Sequence, residues 1–357
     1  MAFRDVDELA YEICCSPDEE DSMLLCERCE RGYHMACLSP PLSALPKEEW
    51  LCENCGRCLL LALSHDELGV IFDGLADPLQ PVVAVALSST CEGLRTPLRA
   101  ALEVLKQRYA EAQLLCKKVH AGFDEEDMRR PMTCTILRDA EHMQCKDGGL
   151  TAADATTLGM ILRTNGLPKL RFLILDSEYA RGTAPDFGEA GLQMLCQGIG
   201  RGTAPSLTTL DLTNNQLGLA SLEALTAAFG RGAMPKLEWL FLGVNPIGNQ
   251  GAAALAAPLR KLPALENLYL LSCQIGDEGV ASLLADLGKD DFKKLKFISL
   301  GGNKITEIGC TTLVKAIDGG GLPSLLEKVW LRGNLASDAA LQAVTGAFDR
   351  AKARRGA

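Results

Sequence analysis

A chain of 357 residues with 23% charged and 47% hydrophobic side chains has material for two or three domains and no apolar run near the roughly 20 residues of a membrane helix, which excludes a membrane protein. The net charge of -10 is uneven: residues 1–58 hold 13 acidic and five basic side chains, which disfavours DNA or RNA contact through that segment and predicts a basic partner. The acidic start lacks the basic-then-apolar order of a secretory signal, so a reducing interior is expected, where the 15 cysteines stay free of disulfides.

Residues 1–58 carry the first unit. Eight of the 15 cysteines lie between Cys14 and Cys58. After Cys14 come Cys26-x-x-Cys29, His34-x-x-Cys37 and Cys52-x-x-Cys55, and a two-residue gap lets both thiolates of a pair reach one tetrahedral zinc. A domain this short has too small a core of its own, so bound metal is expected to supply its folding energy.

The runs Tyr11-Glu-Ile-Cys14, Met23-Leu-Leu-Cys26-Glu-Arg-Cys29-Glu-Arg-Gly-Tyr-His34-Met-Ala-Cys37 and Trp50-Leu-Cys52-Glu-Asn-Cys55 resemble a plant-homeodomain (PHD) type zinc finger. The resemblance implies two interleaved zinc ions, one on Cys26, Cys29, Cys52 and Cys55, the other on Cys14, His34 and Cys37. Tyr11 stands where that family has its first cysteine. Cys15, water or an unfilled position are the alternatives for the eighth ligand. The RING finger competes as a reading, but Trp50 resembles the PHD packing tryptophan, and the last pair lacks the proline typical of active RINGs.

PHD fingers commonly capture the histone H3 tail as an added strand, and the resemblance makes Met23, Leu24 and Leu25 the receiving edge. Gly32 occupies the place where cage-bearing relatives carry tryptophan, while Asp18, Glu19, Glu20 and Asp21 line the approach. Carboxylates bond to an ammonium through N–H donors that methylation removes, so an unmethylated tail lysine is expected. Glu27 is the candidate partner of the tail arginine. The other reading of the acidic run is a solvated loop.

Residues 59–132 are expected to be helical. Ser64-His-Asp-Glu67 is a capping box before Leu68, Ile71, Phe72 and Leu75; a second helix is expected after Asp77-Pro78 and a third around Leu98–Val119. The order Leu63-Ser-His-Asp-Glu-Leu68, Ile71-Phe72, Val82, Val85-Ala-Leu87, Cys91-Glu-Gly-Leu94 resembles an F-box, which implies a Skp-type adaptor as partner and a role as substrate receptor of a cullin ubiquitin ligase. The competing reading is a cap on the repeats that follow.

Residues 133–345 repeat. Leu207-x-x-Leu210-x-Leu212-x-x-Asn215-x-Leu217 recurs from Leu237, Leu265, Leu295 and Leu326. This is a leucine-rich repeat solenoid (horseshoe), each unit a strand, an asparagine turn and a helix. It resembles the ribonuclease-inhibitor type. An earlier unit starts at Leu170 with an insertion over Arg181–Phe187, and Thr133–Leu137 is a candidate first strand. Asn215, Asn245, Asn303 and Asn334, with Cys273 in the equivalent place, are expected to bond turn backbone. Residues flanking the second leucine of each strand face away from the core. They include Phe172, Trp239, Phe241, Tyr269, Phe297 and Trp330, beside Asp211 and Lys328, in a chain only 5% aromatic. Such a stripe marks a surface for a protein ligand, unless a one-residue shift of register or the C-terminal tail covers it. Residues 346–357 read as a basic tail.

No phosphate loop or nucleophile elbow occurs, and His65, His120 and His142 lack a paired acid and nucleophile at recognisable spacing. The expectation is therefore a multidomain, non-enzymatic adaptor: a small zinc-stabilised PHD finger, a short helical module and an α/β solenoid. It would join a basic peptide, foremost an unmodified histone H3 tail, to a protein ligand, with no direct DNA contact and no membrane, in the nucleus or alternatively the cytoplasm. The remaining alternative is a general interaction scaffold with a degenerate finger.

Overall fold

The computed structural model describes residues 60, 63–89, 92–122, 131–145, 150–176, 187–285, 291–320 and 325–356, and the backbone alone of 23–25 and 32–34. The chain divides into two compact units, Met1–Ala76 with Pro81–Lys106, and Asp77–Gln80 with Gln107–Ala357.

In the first unit, β1 (Met23–Leu25) pairs antiparallel with β2 (Gly32–His34), Met23 opposite His34 and Leu25 opposite Gly32. Helix α1 (His65–Leu75) begins at the expected capping box: Ser64 Oγ accepts from the Glu67 N–H, and the Glu67 carboxylate accepts from the Ser64 N–H at 2.8 Å. Helix α2 (Val82–Ser89) and the first part of α3 (Glu92–Lys118) complete the unit. Leu68, Phe72, Ala84, Leu94, Leu98 and Leu105 bury their side chains together as its core. The second helix starts after Pro81, not Pro78, because the Asp77 carboxylate accepts from the Leu79 N–H at 2.8 Å and closes a turn there.

The second unit is a sheet in the order β10-β9-β8-β7-β6-β5-β4-β3, with helices filling one side. It opens with the end of α3, β3 (Val119–His120), α4 (Cys134–Asp139), β4 (His142–Cys145) and α5 (Ala152–Arg163). Strands and helices then alternate: β5 (Phe172–Ile174), α6 (Gly188–Gly198), β6 (Thr209–Asp211), α7 (Leu219–Gly230), β7 (Trp239–Phe241) and α8 (Gly248–Arg260). The series closes with β8 (Asn267–Tyr269), α9 (Asp277–Leu284), β9 (Phe297–Ser299), α10 (Glu307–Asp318), β10 (Lys328–Trp330) and α11 (Asp338–Gly356). From β4 to β10 every pairing is parallel; β3 runs antiparallel to β4 and ends the sheet. This is the stack of strand-turn-helix units expected of leucine-rich repeats, each burying its apolar side against its neighbours.

Three expectations change. Thr133–Leu137 is not a strand: the Thr133 hydroxyl accepts from the Ile136 N–H and caps α4, and the first strand of the parallel series is β4, which carries His142. The segment 59–132 is divided, since Ala112, Leu115, Cys116 and Val119 join the core of the repeats rather than that of the helical module. Residues 346–356 continue α11 and are no separate tail; Arg350 donates to the Asp318 carboxylate at 2.6 Å and Arg354 to the Asp318 carbonyl at 2.9 Å.

Two ladders of side chains tie the repeats. The Asn245 carboxamide oxygen accepts from the N–H groups of Asn215 and Leu217, 2.9 and 3.0 Å, and its nitrogen donates to the carbonyls of Leu212 and Leu242. Asn303 repeats this with the N–H groups of Cys273 and Ile275, and Asn334 accepts from Ile305. A second ladder, on the helix starts, is not foreseen by the repeat pattern. Asn249 accepts from Gly276 N–H at 2.7 Å, Asp277 from Thr306 and Gly309 at 2.8 and 2.9 Å, and Glu307 from Ser337 at 2.9 Å. Each side chain thereby caps the helix of the following repeat.

Helix α5 has its own capping box. Asp154 accepts from the Thr151 N–H and hydroxyl, 2.8 and 2.6 Å, and from Lys118 Nζ at 2.6 Å. Burial pushes the Asp154 carboxyl up, but the bonds from Lys118 and Thr151 outweigh it and hold the group below its ordinary value of 3.8. A folded-state value depressed in this way contributes stability that is fully present above about pH 3.8 and is lost as pH falls further, through the lower folded-state value. Asp154→Asn is therefore expected to lower the unfolding free energy by about 1–2 kcal/mol at neutral pH, with the gap to the wild type closing on acidification. Urea titrations at pH 7 and pH 3.5 check this; a gap that widens in acid refutes it.

Candidate functional site: the open face of the repeat sheet

In each strand the central residue, Met143, Leu173, Leu210, Leu240, Leu268, Ile298 or Val329, is buried against the helices. Its two neighbours turn to the other face, because successive side chains of a strand alternate. The register aligns these neighbours in two rows. One runs His142, Phe172, Thr209, Trp239, Asn267, Phe297, Lys328; the other runs Gln144, Ile174, Asp211, Phe241, Tyr269, Ser299, Trp330. All six expected aromatic residues lie on this face.

The structure sorts them into groups. Trp239, Phe241 and Tyr269 are nearly parallel, with Phe241 and Tyr269 stacked at 4.3 Å between centroids and Trp239 6.1 Å from Tyr269. Phe297 joins at 5.4 Å from Tyr269, tilted by 51°. Phe172 stands apart, with Thr209 between it and Trp239, and stacks on His142 at 4.4 Å. Trp330 is separated from Tyr269 by Ser299 and carries Lys328 Nζ over its ring at 4.9 Å. Trp239 and Trp330 keep 37% and 39% of their surface exposed, so neither α11 nor a shift of register covers them. Burial raises the Tyr269 phenol above its usual range, which keeps it a neutral hydrogen-bonding group.

Several neighbours escaped the sequence reading. Leu271 is 43% exposed, and a side chain at Gly301 would fall 3.2 Å from Leu271 Cδ1 and 3.0 Å from Trp330 Cδ1. Glycine there lets both approach the same spot. Val244, also exposed, has φ 57°, in line with Asn214, Ser272, Gly302 and Gly333 at the same turn of other repeats. A β-branched residue in left-handed backbone is costly, so its presence on this rim needs a reason beyond the turn. The signal that could have found these residues is the repeat alignment itself, column by column.

Glu238, Glu266 and Glu327 border the first row. Glu266 bonds to Lys296 Nζ at 2.6 Å, and the three carboxylates together raise the Lys296 ammonium, the bond to Glu266 contributing most.

On the finger, Met23, Leu24 and Leu25 form β1, whose second side carries no strand among the described residues. His34 closes β2. Cys14, Cys15, Cys26, Cys29, Cys37, Cys52 and Cys55, and Asp18, Glu19, Glu20, Asp21 and Glu27, lie outside the described residues. Thiolates and one imidazole are the donor set that zinc takes in tetrahedral sites, so these residues fit the metal. Among the described residues no group of three or more His, Cys, Asp or Glu side chains could hold a metal ion, and no helix is long and apolar enough to cross a membrane.

Comparison with known proteins places two families on the chain. Residues 12–55 match the PHD-finger family, and residues 203–225 and 263–284 match a leucine-rich repeat family. The chain is 52% identical over 44 residues to the PHD and RING finger domain-containing protein 1 of Homo sapiens, covering 12% of this chain and 3% of that protein. It is 42% identical over 55 residues to Remodeling and spacing factor 1 of Homo sapiens, covering 15% of this chain and 4% of that one. It is 42% identical over 64 residues to a histone acetyltransferase of Macaca fascicularis, covering 16% and 3%. The matched stretches thus span 3–4% of the length of these relatives.

Proposed function

We propose that this chain, which carries a PHD finger and leucine-rich repeats, is a non-enzymatic, zinc-dependent adaptor in the nucleus. Its finger takes a basic peptide, foremost an unmodified histone H3 tail, on the edge of β1, with Asp18, Glu19, Glu20, Asp21 and Glu27 as cation partners. Its repeats hold a protein ligand on the open face. The observation that carries the reading is the group of neighbouring rings Trp239, Phe241, Tyr269 and Phe297, half-buried except for the exposed Trp239, on a face where exposed Leu271 and Trp330 add further apolar surface. The histone and remodelling vocabulary in the names of finger relatives favours the H3 tail over other basic peptides.

Calorimetric titration of the zinc-loaded chain with unmodified and lysine-trimethylated H3 tail peptides tests the finger. Micromolar binding of the unmodified form, weakened by methylation, is the expected result; tighter binding of the trimethylated peptide overturns the proposed role of the acidic run. Zinc would be held by Cys26, Cys29, Cys52 and Cys55 and by Cys14, His34, Cys37 and an eighth ligand, Cys15 being the protein group at hand. The metal supplies the fold of the finger, and the peptide contacts belong to β1 and the acidic side chains.

A second reading, an F-box-like substrate receptor, is favoured by one observation. Val70, Val82 and Val83 in α1 and α2 are 74%, 68% and 53% exposed, an apolar set on the helical module. Binding of a purified Skp-type adaptor to the chain, lost on Val82→Glu with Val83→Glu, would support it; absence of binding removes the ligase role.

A further inference from the structure

The core of the repeats holds two thiols in contact. Cys116, in the last turn of α3, and Cys134, the first residue of α4, lie 3.8 Å apart from Sγ to Sγ, and the Cys116 thiol donates to Cys134. An S–S bond is about 2.05 Å long, so the two sulfurs need to close only about 1.8 Å between them to form one. The helices that carry them flank β3 in the chain, and β3 ends the sheet. Lys118, two residues after Cys116, is itself held by Asp154 of α5 at 2.6 Å. Folding thus joins two cysteines 18 residues apart that the repeat pattern does not relate. Their surroundings also set them apart from other cysteines. Burial pushes Cys145, Cys196 and Cys273 up to about 12, which keeps them protonated and unreactive near neutral pH. At Cys134 the hydrogen bond from Cys116 lowers the thiol below its ordinary value of 9.0, against burial and the Asp77 carboxylate, which raise it. Cys134 is also the more exposed of the two, 6% against 2%.

We propose that Cys116 and Cys134 are a reversible redox pair, oxidised by a peroxide to a disulfide that staples the end of the repeat sheet. The Cys134 thiolate attacks one oxygen of hydrogen peroxide, the O–O bond breaks, and the hydroxide that leaves takes up the proton Cys134 gave to solvent and becomes water. Cys134 is then a sulfenic acid. The Cys116 sulfur attacks the Cys134 sulfur; the S–S bond forms, the S–O bond breaks, and the departing hydroxide takes the Cys116 proton as a second water. The two thiols together lose two electrons and the peroxide gains them. A small-molecule dithiol returns them by exchange through a mixed disulfide and is oxidised to its own disulfide. A peroxide suits the site because it is small enough for a sulfur with so little exposed surface. The position gives the bond its effect: an end unit of a solenoid packs on a neighbour at one side alone, so a link across β3 acts where the stack opens most easily.

The test treats the zinc-loaded full chain, reduced beforehand, with hydrogen peroxide, blocks the remaining thiols with N-ethylmaleimide in urea and maps the tryptic peptides by mass spectrometry. Tyr109–Lys117 and Arg130–Arg138 each carry one cysteine of the pair. They are expected as one linked species, lighter than their sum by two hydrogens, that separates again after dithiothreitol. Thiols of residues 1–58 fall on other peptides, so oxidation of the finger is read apart from that of the pair. Cys116→Ser should leave Cys134 as a sulfenic acid that dimedone labels, whereas Cys134→Ser should leave Cys116 unlabelled. The thermal transition of the repeats should rise by about 5 °C on oxidation of the wild type and stay in place for Cys116→Ser. A link that forms only when the peroxide is added in urea, or dimedone labelling of Cys116 in Cys134→Ser with none of Cys134 in Cys116→Ser, overturns the pair. A link without the rise overturns its role as a staple. Because the link and its thermal effect are read on the wild-type chain, a variant that fails to fold leaves the test in force.

Discussion

Asn245→Ala is expected to lower the unfolding free energy of the repeat unit by about 4 kcal/mol, which for a unit of this size is a fall of about 10 °C in Tm. Asn245 is 1% exposed, and its carboxamide serves five backbone groups: it accepts from Asn215 and Leu217 and donates to Leu212, Leu242 and Gly243. Alanine leaves two N–H groups and the carbonyls short of partners where water reaches poorly, and each buried unpaired group costs about 1–3 kcal/mol. The reverse substitution has the reverse sign. Cys273 fills the same rung, and its thiol reaches Leu242 O at 3.2 Å and Leu271 O at 3.4 Å with a single weak donor. Burial pushes that thiol up to about 12, so it stays protonated and cannot act as a strong acceptor. Cys273→Asn restores a carboxamide of similar size and should raise stability by about 1 kcal/mol. Urea unfolding followed by circular dichroism reads both; an Asn245→Ala loss under 1 kcal/mol would mean the ladder is not what joins the strands.

Chelation of zinc is expected to abolish peptide capture and unfold the finger while leaving the thermal transition of the repeats in place. A finger of this size draws its folding energy from metal binding, about 10–16 kcal/mol in isolated fingers, whereas the repeats rest on a buried leucine core. Metal released on titrating the thiols with a mercurial, measured by an indicator dye, counts the ions. Two per chain would show that the position of Tyr11 is tolerated; one would mean that the site of Cys14, His34 and Cys37 is empty. A finger that stays protease-resistant after chelation would refute zinc dependence.

The sequence carried the periodic features. Leucines spaced for a strand must alternate core and open face, so the aromatic stripe and the asparagine ladder are legible in the repeat pattern. Capping was legible at Ser64–Glu67 for the same reason, since donor and acceptor lie three residues apart. Thr133–Leu137 misled because β-branched residues favour strands, while the Thr133 cap that settles a helix is a single hydrogen bond that no pattern announces.

What only the tertiary structure decided are the contacts made across one repeat or more. Asp277 caps the helix after Thr306, Asp318 holds Arg350 and Arg354, and Leu115 of α3 enters the core of the repeats rather than that of the helical module. The same holds for the stacking of Phe241 on Tyr269, 28 residues further along the chain. By itself the sequence determined which residues face the core, because burial follows a local period. Which open-face residues meet depends on strand register, and register exists only once the repeats have stacked.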